Sequence, residues 1–207
     1  MNRAFEDLFG VAGAFDGVAM AGRTDRWIVG DAASRAGVDL SGENFHRFRD
    51  RYFSRLMETL REPAPGKGVL PGVRSLLEAI DTRDDVFSAL LTGNCEEGAR
   101  IKLQHFDIWK FFRCGAYGDE ETDRNHLFHV ALQRAEACGA PRVEAGDVIV
   151  IGDTVLDVVC AKAAGARSLA VATGPCDVDT LRRSGADAVV RDLKDTEAIV
   201  RMLGVQI

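Results

Sequence analysis

The chain has 207 residues, 46% of them apolar, and 26 Lys and Arg against 32 Asp and Glu, a formal net charge of −6. That length suits one core domain with a smaller appendage, and the acidic balance gives no general pull toward nucleic acid or an anionic membrane. Five scattered cysteines without a Cys-x-x-Cys give neither a disulfide frame nor a zinc site; with no apolar run of membrane-spanning length and no signal-like start, a cytoplasmic protein is expected.

The first sixty-odd residues carry only helical periodicity. Ala4, Phe5, Leu8 and Phe9 share one face, then Trp27, Ile28 and Ala32, then Phe45, Phe48, Tyr52, Leu56 and Leu60. Ser41 is placed to cap the third helix. Arg47, Arg49, Arg51 and Arg55 are interleaved with acids and read as a solvated helix face. The stretch from Glu62 to Gly68, with Pro63 and Pro65, cannot continue a helix and reads as a hinge. Residues 1–65 are therefore expected to form a helical unit and residues 66–207 a second domain.

Beyond the hinge, strands and helices alternate. A helix from Pro71 leads to a strand over Val86–Leu91, a helix from Glu96, a short strand near Cys114–Tyr117 and a helix over Arg124–Cys138. Then come a strand over Val148–Ile151, a helix over Asp157–Ala164, a strand over Ser168–Ala172, a helix over Asp179–Ser184, a strand over Ala186–Val190 and a last helix from Thr196. This order predicts an α/β fold, a Rossmann-like, mostly parallel sheet wrapped by helices.

Two strand ends carry the chemistry. The run Val148–Ile151 stops at Gly152-Asp153-Thr154, and Asp157 follows four residues after Asp153. A carboxylate at the C-terminal lip of a buried parallel strand sits where open α/β sheets hold ligands. Asp153 and Asp157 are spaced to share a hard cation such as Mg²⁺, or to cap the helix that follows. Thr92-Gly93-Asn94 ends the earlier strand and combines a hydroxyl with backbone amides opening a helix. That arrangement suits a phosphoryl oxygen, or again a cap. Arg124, between these motifs in the chain, is placed to neutralise a bound phosphate or to lie in solvent. Cys95, at the same turn as Asn94, reads as a packed thiol.

In order and spacing, strand-Thr92-Gly93-Asn94, then a basic residue, then strand-Gly152-Asp153-Thr154-Val-Leu-Asp157 resembles the haloacid dehalogenase (HAD) superfamily, in particular its phosphoglycolate-phosphatase-like branch with a helical cap. Ala21-Gly-Arg-Thr-Asp25 is similar to the entry of the cap, and Leu70-Pro-Gly-Val73 to the return into the core. The resemblance implies a Mg²⁺-dependent phosphatase acting on a small phosphorylated metabolite through an aspartyl-phosphate. It implies that Thr92 and the amides of Gly93 and Asn94 hold the phosphoryl group. Arg124 stands where the family most often has lysine, Asp153 binds the metal with support from Asp157, and Arg23 and Asp25 face the site from the cap and select the substrate.

The same resemblance implies an Asp-x-Asp pair on a first, central core strand, and no such strand precedes the cap here. Phe15-Asp16-Gly17 has one acid in a turn, and Asp177-Val-Asp179-Thr180 reads as a helix-capping cluster. The expectation is a chain inactive as written, with its true start roughly 15–25 residues upstream, with a borrowed strand, or as a decayed product. Exposed sheet edges would favour a homo-oligomer. The alternative is a non-catalytic phosphate-binding or regulatory module. A receiver domain lacks the helical unit, and no Gly-x-Gly-x-x-Gly supports a dinucleotide fold.

Overall fold

The computed structural model describes residues 1–119 and 123–204. Three helices build the first unit: α1 (Asn2–Phe9), α2 (Asp25–Ala36) and α3 (Gly42–Arg61). Their apolar faces close on Phe5, Phe15, Ile28, Val29, Phe48 and Phe53, with Phe5 edge-on to both Phe15 and Phe48. Phe48 is 1% exposed, so Phe48→Ala is expected to cost about 3–5 kcal/mol, measured by urea denaturation. Ser41 does occupy the N-cap of α3, but its hydroxyl donates to Asp39 and not to the helix. Arg51 and Arg55 tie α3 to α1 through Asp7, so part of the arginine face is a helix–helix clamp. The hinge closes back on α3, where the Lys67 ammonium binds the carbonyls of Thr59 and Leu60. These are the orphan acceptors of a helix end.

The remaining elements are α4 (Val73–Asp81), β1 (Ala89–Leu91), α5 (Glu96–His105), β2 (Cys114–Ala116), α6 (Arg124–Ala137), β3 (Ile149–Gly152), α7 (Val155–Ala164), β4 (Arg167–Val171), α8 (Val178–Arg183), β5 (Ala188–Val190) and α9 (Thr196–Met202). The expected alternation is present, with shorter strands. Every pairing is parallel, but the strands form two sheets instead of one: β1–β2, and β3–β4–β5. The halves share a helix layer, because α6 packs on β1, β2 and α7, and α7 packs on β3 and β4. Leu91 of one half and Val150 of the other enter one cluster with Phe128, Cys160 and Ala161.

The split has a backbone cause. The bonds from Arg113 N–H to the Ser88 carbonyl and from Thr92 N–H to the Ala116 carbonyl show that even-numbered residues of β1 face β2. By alternation, the peptide groups of Ala89 and Leu91 face away from it. The bond from Arg167 N–H to the Val148 carbonyl likewise leaves those of Ile149 and Ile151 facing away from β4. No strand among the described residues pairs with these edges, and Ile151 is 39% exposed. Among the described residues no strand fills the place that the resemblance gives to the first strand of the sheet.

The boundary near residue 65 does not separate two independent cores. Cys95 and Ile101, at the N-cap and within α5, belong to the hydrophobic cluster of the helical unit. Gly98 lets α3 approach, since a Cβ there would meet the Phe53 ring.

Candidate active site

The turn after β3 is organised by a capping box. Thr154 is the N-cap of α7 and accepts from Asp157 N–H, while Asp157 accepts from both the amide and the hydroxyl of Thr154. The cap reading of Asp157 therefore holds, and the residue has a second task. Its other oxygen receives Arg124, whose side chain comes from the first residue of α6. Arg124 also donates to the Gly22 carbonyl at 3.3 Å, and its buried Nε has no hydrogen-bond partner. Asp153 stands apart. Burial, then the Asp157 carboxylate, raise its pKa above the usual carboxylate value.

At the end of β1, Thr92 accepts from Asn94 N–H at 3.1 Å, so Thr92 shapes its own loop and does not cap α5. The Asn94 amide is committed to that turn. The donors left for a phosphoryl oxygen are the Thr92 hydroxyl and the Gly93 amide, a narrower set than the sequence suggested.

The segment entering α2 straps the two strand ends together. Gly22, at φ +71°, lies so close to Thr154 and Leu156 that a Cβ would collide with them, and Gly93 lies equally close to the backbone of Arg23 and Thr24. Asp25 N–H donates to the Gly93 carbonyl at 2.6 Å, and Thr24 caps α2 by accepting from Trp27 N–H. Asp25 itself is 3% exposed. Its carboxylate accepts from Cys95 N–H at 2.9 Å and from the Asn94 side-chain amide at 3.4 Å. The carboxylate expected to select substrate is thus occupied in joining the helical unit to the core. Arg23 is exposed, with its guanidinium 4.6 Å from the centre of the Trp27 ring.

One cleft of about 740 Å³ is lined by Arg23, Asp25, Thr92, Gly93, Asn94, Arg124, Asp153 and Asp157 together. It also receives Arg3, Arg55 and Lys102. Five basic side chains against three acidic ones make it locally positive in a chain of net charge −6, which suits a phosphate. Lys102 was not legible as a site residue, because within α5 it reads as an ordinary basic residue of the last turn. Its ammonium donates to Asn94 Oδ1 at 2.8 Å. Burial lowers its pKa, opposed by the charge of Asp25. Cys95 is 2% exposed and its thiol is pushed up to about 12 by burial, so it is inert, as expected. Asp177 caps α8 by accepting from Thr180 N–H, as its sequence context predicts.

Residues 124–196 match a family model described as HAD-hydrolase-like. No curated protein matches the sequence. Among solved structures, a predicted phosphoglycolate phosphatase from Haemophilus somnus 129pt has 17% identity and a TM-score of 0.67, covering 96% of this chain and 88% of its own. Over that segment the chain resembles HAD-like hydrolases, and its fold is similar to that of this structure. Two further structures share the HAD-like fold: a hydrolase from Pseudomonas syringae, with 22% identity, TM-score 0.63 and coverage of 88% and 80%, and a β-phosphoglucomutase from Clostridium difficile, with 16% identity, TM-score 0.67 and coverage of 98% and 88%.

Among the described residues no group of three or more His, Cys, Asp or Glu is arranged to hold a metal. Both Asp157 oxygens are engaged, which leaves Asp153, among the described residues, as the carboxylate of the cleft with no hydrogen bond from another residue. Mg²⁺ commonly takes one or two carboxylates and completes its shell with water and substrate phosphate. Asp153 is therefore the residue that would hold a Mg²⁺, with the remainder of its shell coming from outside the chain.

Proposed function

We propose that the cleft binds a small phosphorylated metabolite and is built for Mg²⁺-dependent phosphomonoester hydrolysis by the aspartyl-phosphate route. The observation that carries this reading is the convergence of Thr92 and Gly93, Arg124 and Asp153, from three separated segments, on one locally basic cleft. Thr92 and the Gly93 amide donate to the phosphoryl oxygens, and Arg124, aimed by Asp157, balances their charge. Asp153 would hold Mg²⁺, which would supply further neutralisation of phosphoryl charge. The names of two neighbours, a phosphoglycolate phosphatase and a β-phosphoglucomutase, support a phosphoryl ligand. A cytoplasmic setting belongs to this reading; among the described residues no helix is long and apolar enough to cross a membrane.

A nucleophile is a separate matter. Asp25 and Asp157 are hydrogen-bonded on both oxygens and Asp153 serves the metal, so none of the three carboxylates lining the cleft remains to attack phosphorus. These 207 residues alone are therefore expected to bind phosphate without turnover. That observation favours one second reading, a non-catalytic phosphate-binding or regulatory module.

Calorimetric titration with inorganic phosphate, in MgCl2 and in chelator, tests both. Thr92→Ala should weaken binding by about tenfold or more, the loss of a hydrogen bond to a charged group. A hydrolase-type site needs Mg²⁺ for tight phosphate, whereas a plain anion module binds equally in chelator. Unchanged affinity in Thr92→Ala would refute the phosphate loop, and robust hydrolysis of p-nitrophenyl phosphate by these residues would refute the role given to Asp153.

A further inference from the structure

The Asn94 side chain is the middle of a polar chain that crosses from one unit of the fold to the other. Its Oδ1 accepts from the Lys102 ammonium at 2.8 Å, and its Nδ2 donates to the Asp25 carboxylate at 3.4 Å. The amide is oriented by charge: its carbonyl meets the cation and its NH2 group meets the anion. Asp25 comes from the first turn of α2, Lys102 from the last turn of α5, and Asn94 from the loop between β1 and α5. Asp25 grips the same loop at two more points, through its own amide on the Gly93 carbonyl and through its carboxylate on Cys95 N–H.

We propose that Asp25, Asn94 and Lys102 form a latch through which the helical unit sets the shape of the Thr92–Asn94 loop, with Asp25 and Lys102 acting as positioning residues for phosphate. This rests on the reading of that loop as the phosphate site. The physical ground is that neither charge is free to leave. Asp25 is buried and Lys102 half-buried, and both bond the Asn94 side chain, so removal of one frees Asn94 to turn toward the other. The loop has little slack, because the Gly93 carbonyl is held by Asp25 and the Asn94 carbonyl accepts from Gly118 N–H at 2.8 Å. A shift of the Asn94 side chain is therefore transmitted to the Thr92 hydroxyl, which is bonded to the Asn94 amide.

The test is a double-mutant cycle on the full chain, with inorganic phosphate and MgCl2 as the probe. Asp25→Asn and Lys102→Met should each weaken phosphate about tenfold or more, and the double variant should be no weaker than either single one. A cap that only stabilised α5 would lower the melting temperature and leave phosphate affinity unchanged, and that outcome overturns the proposal. The amide resonances of Gly93 and Cys95 should shift in Asp25→Asn and also in Lys102→Met, although Lys102 touches neither amide. Thr92→Ala is the control: if it too leaves affinity unchanged, the phosphate site has failed and not the latch. Should the variants not fold, the wild-type side-chain amide of Asn94 decides, since slow hydrogen exchange supports the latch and exchange as fast as that of an exposed asparagine overturns it.

Discussion

Asp157→Ala is expected to destabilise the chain by about 3–5 kcal/mol, the usual result of removing one partner of a buried charge pair. The side chains of Asp157 and Arg124 are 8% and 15% exposed, so water cannot replace the lost partner. The same change removes the acceptor for the Thr154 amide and hydroxyl, and with it the capping box that starts α7. For a chain of this size the melting temperature should fall by roughly 6–20 °C. Asp157→Asn should recover little, because its NH2 group faces either the guanidinium or the Thr154 donors. Urea denaturation with both variants is the measurement. A loss below about 1 kcal/mol would mean that the pair behaves as a solvated surface bridge and that Arg124 is not held in place by Asp157.

Gly93→Ala is expected to be about as damaging, for a steric reason. An added Cβ would run into the Arg23 carbonyl and the Thr24 Cα. These are backbone atoms with no rotamer to escape into, so the strap must separate from the β1 end. Overpacking of this kind costs about 1–3 kcal/mol, and more where the backbone cannot give way, and phosphate affinity should fall with it, since the Gly93 amide moves with the strap. Gly146→Ala is the matched control. A Cβ there meets nothing within 4 Å, so stability should stay within about 0.5 kcal/mol of the parent. If Gly93→Ala is equally silent, the close passage of the strap over the phosphate loop is wrong.

Much of the site was readable from short-range pattern. An aliphatic run broken by Gly152-Asp153-Thr154 announces a parallel strand with an acid at its lip, although with Ile151 39% exposed the strand is not buried on both faces. Thr92-Gly93-Asn94 was readable for the same reason, as was the cap at Asp177. For Asp157, pattern alone left a helix cap and a chemical role as rivals. The structure shows the cap on one oxygen and an ion pair to Arg124 on the other.

The α/β order of elements, the helical first unit and the two motif-bearing strand ends were all determined by the sequence alone. They rest on periodicity, turn residues and caps, whose physics acts over a few neighbours in the chain. Only the tertiary structure decided that the sheet is split, that α5 lends Cys95 and Ile101 to the core of the helical unit, and that Asp25 is bound to the Thr92–Asn94 loop. It alone showed Lys102 in the cleft and Asp153, among the described residues, as the cleft acid with no hydrogen bond from another residue. The contacts that decide these points join residues 69, 70 and 102 positions apart, Asn94 with Asp25, Cys95 with Asp25 and Arg124 with Gly22. Partners so distant are chosen by how whole helices and strands pack, and a local pattern carries no record of that choice.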